Sequence, residues 1–544
     1  MDDLWRTIEV AGALPEEFLR SDDAAEAREI VRARLRLLSL GAAPGARTTT
    51  ALSQASLAAV STRLDERLAL YEQRASELLA EVNPRTASNL SYFIAAGSRL
   101  RGRPTPAEAP LRRWIWVVGA GGGGRRPPGT GLAAFLQAAL DWRNLAMVRH
   151  IVSPLGFGGV ETMTAMEHEQ LIGSRVRFGW SAAEVARSVA ALRPSLIDPE
   201  TLERLLEYCR AMAESPAWSH GQPAPVASSA RALAAEMAVR PGQYAGSTFG
   251  ELNGSRQALL RPFVIVDEGV FPASLDAATT RIHLPVIGYV RRSMRPNESA
   301  ALLEQVCESL LARCPGLKTI EGHKTLTVSE SNEGEIDVAA VDRDRSRFLD
   351  VEVKAHLEGD IVPTTPRLFE RGVRSVIDQL ALRREAFEAG RRPSANGAPV
   401  PLSATARFTA LAVLLHDYSG TIWRHQEAGA PLGASLMTIA DLALVTAVVH
   451  DDRELFQYLD IRDRVFARGG GFACDEVDLV ALFLEHGHDD LRVQLDALPP
   501  RGTFLIPPRD APSHLVTEMR TPSRTAVRRT IAGLPRVTPP LHGL

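Results

Sequence analysis

What this 544-residue chain has little of narrows its class before any motif is read. It has four cysteines, Cys209, Cys307, Cys314 and Cys474. They are too few and too scattered for a disulfide framework or a zinc site, so they read as free thiols of a reducing compartment. Neither sign of charge dominates, since the formal net charge is −3. That balance argues against a chain that is basic throughout and confines any nucleic-acid surface to a local patch. Long apolar runs are missing: stretches such as Leu411–Leu415 and Leu442–Val449 fall well short of a membrane span. Met1 leads into Asp-Asp-Leu-Trp, without the basic and apolar segments of a secretory leader, so a cytoplasmic location is expected. No repeat of fixed period is visible, which argues against a solenoid.

Some motifs are nearly present and fail on context. Leu111–Val118, carrying Trp114 and Trp116, reads as a strand running into Gly119-Ala-Gly-Gly-Gly-Gly124. The run fits G-x-G-x-x-G, but Arg125-Arg126-Pro127-Pro128-Gly129 cannot open a helix at once, as a dinucleotide loop requires. A flexible loop is the expectation, with an anion contact by Arg125 and Arg126 as the alternative. No Gly-Lys-Ser/Thr follows, so it is not a P-loop. His486-Gly-His488-Asp489-Asp490 has the composition of a metal site, yet it stands at a helix end and reads as a solvated turn. No Ser-His-Asp or Cys-His constellation stands out.

What is present is an ordinary globular composition, 45% hydrophobic and 23% charged. At about 100–200 residues per domain the length implies three or four units. Residues 1–110 form a helical N-terminal region, with helical spacing in Ala24–Leu40 and Leu57–Val82. Residues 111–294 mix helices (Ala133–Val148, Ala182–Leu192, Pro199–Ala213) with strand Pro262–Val266 and carry no evident role. Residues 295–417 have the most definite order: helix Ser299–Arg313, strand or hairpin segments Leu317–Ile320 and Thr325–Val328, strands Glu335–Asp342 and Arg347–Lys354, helix Arg367–Ala389, strand Ala406–His416. Residues 418–544 are mostly helical (Ala440–Val449, Arg453–Phe466, Asp475–Glu485), with a basic tail beyond Thr521. The fold class expected is multidomain α/β.

Chemistry concentrates in Gly334–Lys354. Strand side chains alternate faces, so Ile336, Val338, Leu349, Val351 and Val353 fall on one side of their strands. Glu335 and Asp337 share a face, and so do Asp350, Glu352 and Lys354. An arginine-rich turn, Arg343–Arg347, joins the two strands. So many carboxylates on one face call for a counter-ion, and a divalent metal with a phosphate beside it supplies one.

These residues resemble the restriction-endonuclease-like superfamily, the PD-(D/E)xK nucleases. Asp337 matches the first acid, and Glu352-Val353-Lys354 matches the (Asp/Glu)-x-Lys tripeptide, fifteen residues further along the chain. Glu304 matches the glutamate that many members carry on the preceding helix, with Glu308 in reserve, and Gln379 matches a glutamine on the following helix. No proline precedes Asp337; Glu335-Ile336 stands there, a departure shared by many subfamilies. The resemblance covers roughly 297–417 and implies an αβββαβ core. It further implies a Mg²⁺- or Mn²⁺-dependent nuclease hydrolysing phosphodiester bonds, in DNA rather than RNA, in a restriction, phage-defence or repair setting. Asp337, Glu352, the carbonyl of Val353 and Glu304 would bind metal, and Lys354 would orient the attacking water. Arg367, Arg371, Arg374, Arg383 and Arg384 on the following helix are either a solvated face or contacts to the phosphate backbone. The tail arginines Arg520, Arg524, Arg528 and Arg529 have the same alternatives, with disorder as a third. The flanking regions are expected to sense a trigger, position substrate, self-assemble or bind a partner protein. The competing expectation is an inactive nuclease-like domain kept for nucleic-acid binding or as a scaffold.

Overall fold

The structure, a computed structural model, describes residues 15–27, 29, 54–87, 90, 108–127, 129–152, 179–214, 227–255, 257–266, 269–273, 278–329, 332–355, 375–415, 434–467, 476–498, 506, 509 and 523–536. The chain is mixed α/β and divides into two compact units. The described residues of the first fall in Met1–Ser174 and Arg204–Ala278, those of the second in Arg175–Glu203, Thr279–Glu358 and Thr364–Leu544. No helix among the described residues is long and apolar enough to cross a membrane.

In the first unit the helices Gln54–Glu81 and Leu132–Val152 pack together. A small sheet is built from Ala238–Val239, Phe263–Val266 and Gly269–Pro272. The expected strand at Leu111–Val118 is instead part of a helix, Glu108–Gly121. Its residues Trp114–Val118 are all buried, and a helix buried on every side loses the 3.6-residue alternation that would identify it. Each indole N–H is satisfied, Trp114 by Asn253 Oδ1 (3.2 Å) and Trp116 by the Arg261 carbonyl (2.9 Å).

The glycine run closes this helix and is a packing device. A Cβ on Gly119 would lie 2.8 Å from Val264 Cγ2, and one on Gly123 would lie 2.0 Å from the Ala80 carbonyl oxygen. The N–H groups of Gly122, Gly123 and Gly124 donate to the carbonyls of Val118, Leu79 and Val82. Amides spent this way are not offered to a phosphate, and Arg126 pairs with Glu81.

The second unit holds the acidic strands of Gly334–Lys354. Its helices and strands are α1 (Gly179–Leu192), α2 (His283–Arg292), α3 (Pro296–Leu311), β1 (Lys318–Thr319), β2 (Lys324–Ser329), β3 (Asn332–Ile336), β4 (Val338–Val341) and β5 (Arg347–Lys354). There follow α4 (Ser375–Glu388), β6 (Ser394–Ala395), β7 (Ala398–Pro399), β8 (Arg407–Leu414), β9 (Ser435–Thr438), α5 (Ile439–Val448), α6 (Asp452–Ala467), α7 (Glu476–Ala497) and α8 (Arg524–Ala532). A central sheet has the order β9-β8-β5-β4-β1, and a second sheet the order β7-β6-β2-β3. β8 runs parallel to both β5 and β9, while β4 pairs antiparallel with β5. A parallel neighbour after a hairpin needs a long connection, and α4 lies in the segment that returns the chain from β5 to β8. β9 is too short, at four residues, to stand out in the sequence.

β5 has the limits expected from its alternation, but both of its faces are buried from Phe348 to Val353. It is central in its sheet, α3 packs against β4 and β5, and α4 packs against β2, β5 and β8. Phe348, fully buried, stacks on Phe387 of α4 (5.8 Å, 9°) and holds the helix onto the strand. Leu326, Ile336, Ala339, Val341, Ala386 and Val400 complete that cluster. Truncating Phe348 to alanine would cost about 3–5 kcal/mol. Towards the far end of the unit, α8 docks through its arginines. Arg524 donates to the carbonyls of Thr446 (2.7 Å) and Val449 (2.6 Å) at the end of α5, and Arg528 grips both oxygens of Glu454. Cations at a helix C-terminus complement its dipole. Arg524 and Arg528 are therefore structural groups, Arg529 is exposed, and Arg520 lies outside the described residues.

Candidate functional site

The strand expected at Glu335–Asp342 is two strands, β3 and β4, with a bend at Asp337 between them. β3 pairs with β2 in one sheet and β4 with β5 in the other, so Asp337 stands where the chain changes sheets. The bend breaks the alternation that would place Glu335 beside it. Glu335 points to solvent and lies 3.6 Å from His323. Asp337 turns inward, and its Oδ2 accepts from the Val353 N–H (2.8 Å), which fastens it to β5.

On β5, Asp350 is fully buried and Glu352 is 4% exposed. Their sheet neighbours are small: Asp350 is flanked by Ala339 and Ala410, and Glu352 by Ala412. That leaves room above the sheet for a large cation, and α4 supplies Arg383. Its Nε and one terminal nitrogen hold Asp350 (2.7 and 3.0 Å), the same nitrogen holds Glu352 Oε2 (2.8 Å), and the other binds the Glu335 carbonyl (2.8 Å). Gly334 makes space for its stem, since a Cβ there would lie 3.3 Å from Arg383 Cδ. Arg383 is 3% exposed and fully engaged, so it is not a contact to nucleic acid as the sequence allowed; burial against two carboxylates is the reason. Asp350 is paired with Arg383. The Arg343–Arg347 turn is closed by Asp342, which accepts from Ser346 Oγ (2.5 Å) and the Arg347 N–H (2.9 Å).

Lys354 Nζ donates to Glu352 Oε1 (2.9 Å) and is partly exposed. Glu304 lies on α3, half-buried, within electrostatic reach of Asp337 and Glu335. Its helix is anchored by Cys307 and Leu311, both fully buried. Glu308, one turn on, accepts from Lys324 Nζ (3.0 Å). Gln379 is on the exposed side of α4. Arg367, Arg371 and Arg374 lie outside the described residues. Arg291 of α2 ties the site's rim together, reaching Ser299 Oγ (2.7 Å) and the carbonyl of Ala355, the residue after Lys354 (3.1 Å).

Charge is out of balance here. Burial, then the Glu352 carboxylate, push Asp337 up to about 6. Burial, then Asp337 and Glu335, push Glu304 up to about 7. Asp350 is raised to about 6 by burial, against the pull of Arg383. Burial alone would lower the Arg383 pKa, but Asp350 and Glu352 hold it above its usual range. Among the described residues nothing donates a hydrogen bond to Asp337 Oδ1 or to the Glu304 carboxylate. The donor set is all oxygen and carries unneutralised charge, which suits a hard divalent cation. Among the described residues, though, no group of three or more His, Cys, Asp and Glu side chains is arranged to hold a metal ion. Both oxygens of Glu352 are occupied by cationic donors, each with a lone pair to spare.

Sequence reasoning missed Arg383's inward role, because a helix of many arginines looks solvated until the strand beneath it is known to be acidic on its buried face. It also missed Lys324, although composition carried a signal: lysine is rare in this chain. The His486–Asp490 segment is a kink at Gly487 (φ 76°) inside α7, where His488 is held between Asp460 (3.1 Å) and Asp489 (2.9 Å). Cys209, Cys307 and Cys314 are free and buried. Comparison of the chain with protein-family models, with curated proteins and with solved structures finds no match.

Proposed function

We propose that the second unit is a metal-dependent nuclease that hydrolyses phosphodiester bonds in DNA, built on a restriction-endonuclease-like αβββαβ core of α3, β1, β4, β5, α4 and β8. The observation that carries this reading is the surplus of carboxylates at the Asp337 bend, where burial and neighbouring acids raise Asp337 and Glu304 and, among the described residues, neither forms an ion pair. Asp337, Glu352 and Glu304 would hold Mg²⁺ or Mn²⁺, with the Val353 carbonyl as a further oxygen. Bound there, the ion would offset charge developing on the phosphate oxygens. Val353's N–H fixes the Asp337 carboxylate, and Arg383 fixes Glu352, so both acids present defined rotamers. Lys354, ion-paired and partly exposed, would orient the attacking water and steady the phosphorane-like charge.

A second reading has its own observation. Glu352 is committed to Arg383 and Lys354, and no three-acid group is arranged for a metal among the described residues. That favours a nuclease-like domain retained for binding or as a scaffold. Incubating supercoiled plasmid with Mg²⁺ or Mn²⁺ and wild type, Asp337→Ala or Lys354→Ala separates the two. The nuclease reading expects cleavage by wild type and a loss of about 100-fold or more in each variant. Equal rates in all three would favour the scaffold.

A further inference from the structure

Only three of the chain's 62 basic residues are lysines, Lys318, Lys324 and Lys354, and all lie between β1 and the end of β5. Elsewhere in this unit the deeply buried ion pairs use a guanidinium, as in Arg383 with Asp350 and Arg462 with Glu476. Lys318 is exposed. Lys324 is 6% exposed, in a residue type almost never fully buried unless it has a partner. Its partner is Glu308, at 3.0 Å. On β2 it is the register partner of Ile336, the residue immediately before Asp337. On α3, Glu308 follows Glu304 by one turn, so both project from the same side of the helix. An ammonium is a compact point charge, whereas a guanidinium is a longer, planar fork. In a chain that uses arginine almost everywhere, a buried lysine marks a place where the fork does not serve.

We propose that Lys324 is a second functional lysine of the carboxylate site. It is a positioning residue that holds Glu308, and with it the Glu304 turn of α3, against the Asp337 bend, keeping the acidic edge shaped for a divalent cation and a phosphodiester. This rests on the nuclease reading above. Outer partners of metal ligands typically change metal affinity or activity by about 10–100-fold when altered.

The test uses the full chain and three variants: Lys318→Arg, Lys324→Arg, and the double Lys324→Gln/Glu308→Gln, which removes both charges of the pair together. Thermal unfolding, calorimetric titration with Mn²⁺ and Mg²⁺-dependent plasmid cleavage are measured for each. Lys318→Arg is expected to match wild type throughout. Lys324→Arg is expected to fold, to lose about 10–100-fold in kcat at unchanged KM, and to bind Mn²⁺ correspondingly more weakly. Where Lys324→Arg does not fold, the double variant decides, and it is expected to fold with the same losses. A folded Lys324 variant that binds Mn²⁺ and cleaves like an active wild type overturns the assignment of Lys324 alone. A wild type that neither binds Mn²⁺ nor cleaves overturns the nuclease reading and Lys324's role with it.

Discussion

Two buried acidic clusters in the same unit are built on opposite terms. Between α6 and α7, Glu476 is fully buried and saturated: Arg462 holds both its oxygens (2.8 and 2.8 Å) and Tyr458 donates to one of them (2.5 Å). Around the Asp337 bend, Arg383 serves both Asp350 and Glu352, while among the described residues Asp337 and Glu304 form no ion pair. A saturated pair is what a folded chain needs to bury a charge at all. An unsaturated cluster costs stability and is kept where charge is wanted for chemistry. The contrast lies in how the charges are paired, and on the nuclease reading it separates a structural acid from functional ones.

The sharpest way to break the comparison is to remove one cation or anion from each cluster. Glu476→Ala strands Arg462 and is expected to cost about 3–5 kcal/mol in denaturant unfolding without a specific effect on cleavage. Arg383→Gln strands Asp350 at a similar cost of about 3–5 kcal/mol, and on the nuclease reading should also abolish cleavage; adding Asp350→Asn should restore stability but not activity. Restored cleavage in that double variant would reduce Arg383 to scaffolding. A smaller effect is expected in the first unit, where Gly123→Ala drives a methyl into the Ala80 carbonyl. It should cost about 1–3 kcal/mol and leave cleavage untouched, which thermal unfolding with a plasmid assay checks.

The pH dependence of stability has opposite signs at acids whose values are raised and at acids whose values are lowered. Asp337 and Glu304 have raised values, so the stability linked to them is present below about pH 4 and lost as pH rises towards about 6 and about 7. At Glu454, burial pushes the carboxyl up but the Arg528 hydrogen bonds outweigh it, so its value is lowered. Its contribution is present above the usual glutamate range and lost as pH falls. Thermal scans from acid to neutral pH should therefore flatten in Asp337→Asn/Glu304→Gln, and lose their acid-side fall in Glu454→Gln. The smallest change is expected from Gln379→Ala. On the exposed side of α4 it should move stability by no more than about 0.5 kcal/mol, so any loss of cleavage there reports a contact with substrate.

Much of this unit was legible because strand alternation is a local signal. β5 was bounded correctly from Arg347 to Lys354, and α3 and β8 to within a few residues. Asp337, Glu352 and Lys354 are singled out by the spacing of the nuclease resemblance; Asp337 is fastened to Val353, and Lys354 pairs with Glu352. Two features depended on distant partners and stayed hidden. The burial of β5 on both faces follows from α4, whose Arg383 meets an acid pair far back in the sequence. The helix at Glu108–Gly121 follows from partners more than a hundred residues away, the strand Phe263–Val266 and the helix Phe249–Asn253, which with Gln54–Glu81 bury Trp114–Val118 and turn a glycine run into a contact surface. β-branched and aromatic residues in a run speak for a strand only while their surroundings are unknown.

The central claim is that the surplus carboxylates at the Asp337 bend form a cation site. Calorimetric titration of Mn²⁺ into wild type and Asp337→Asn, with thermal unfolding of each protein, tests it most directly. Saturable binding by wild type, lost in Asp337→Asn while that variant unfolds at an equal or higher temperature, is the result the charge imbalance predicts. Equal Mn²⁺ titrations for both proteins, with Asp337→Asn destabilised as Glu476→Ala is, would contradict it.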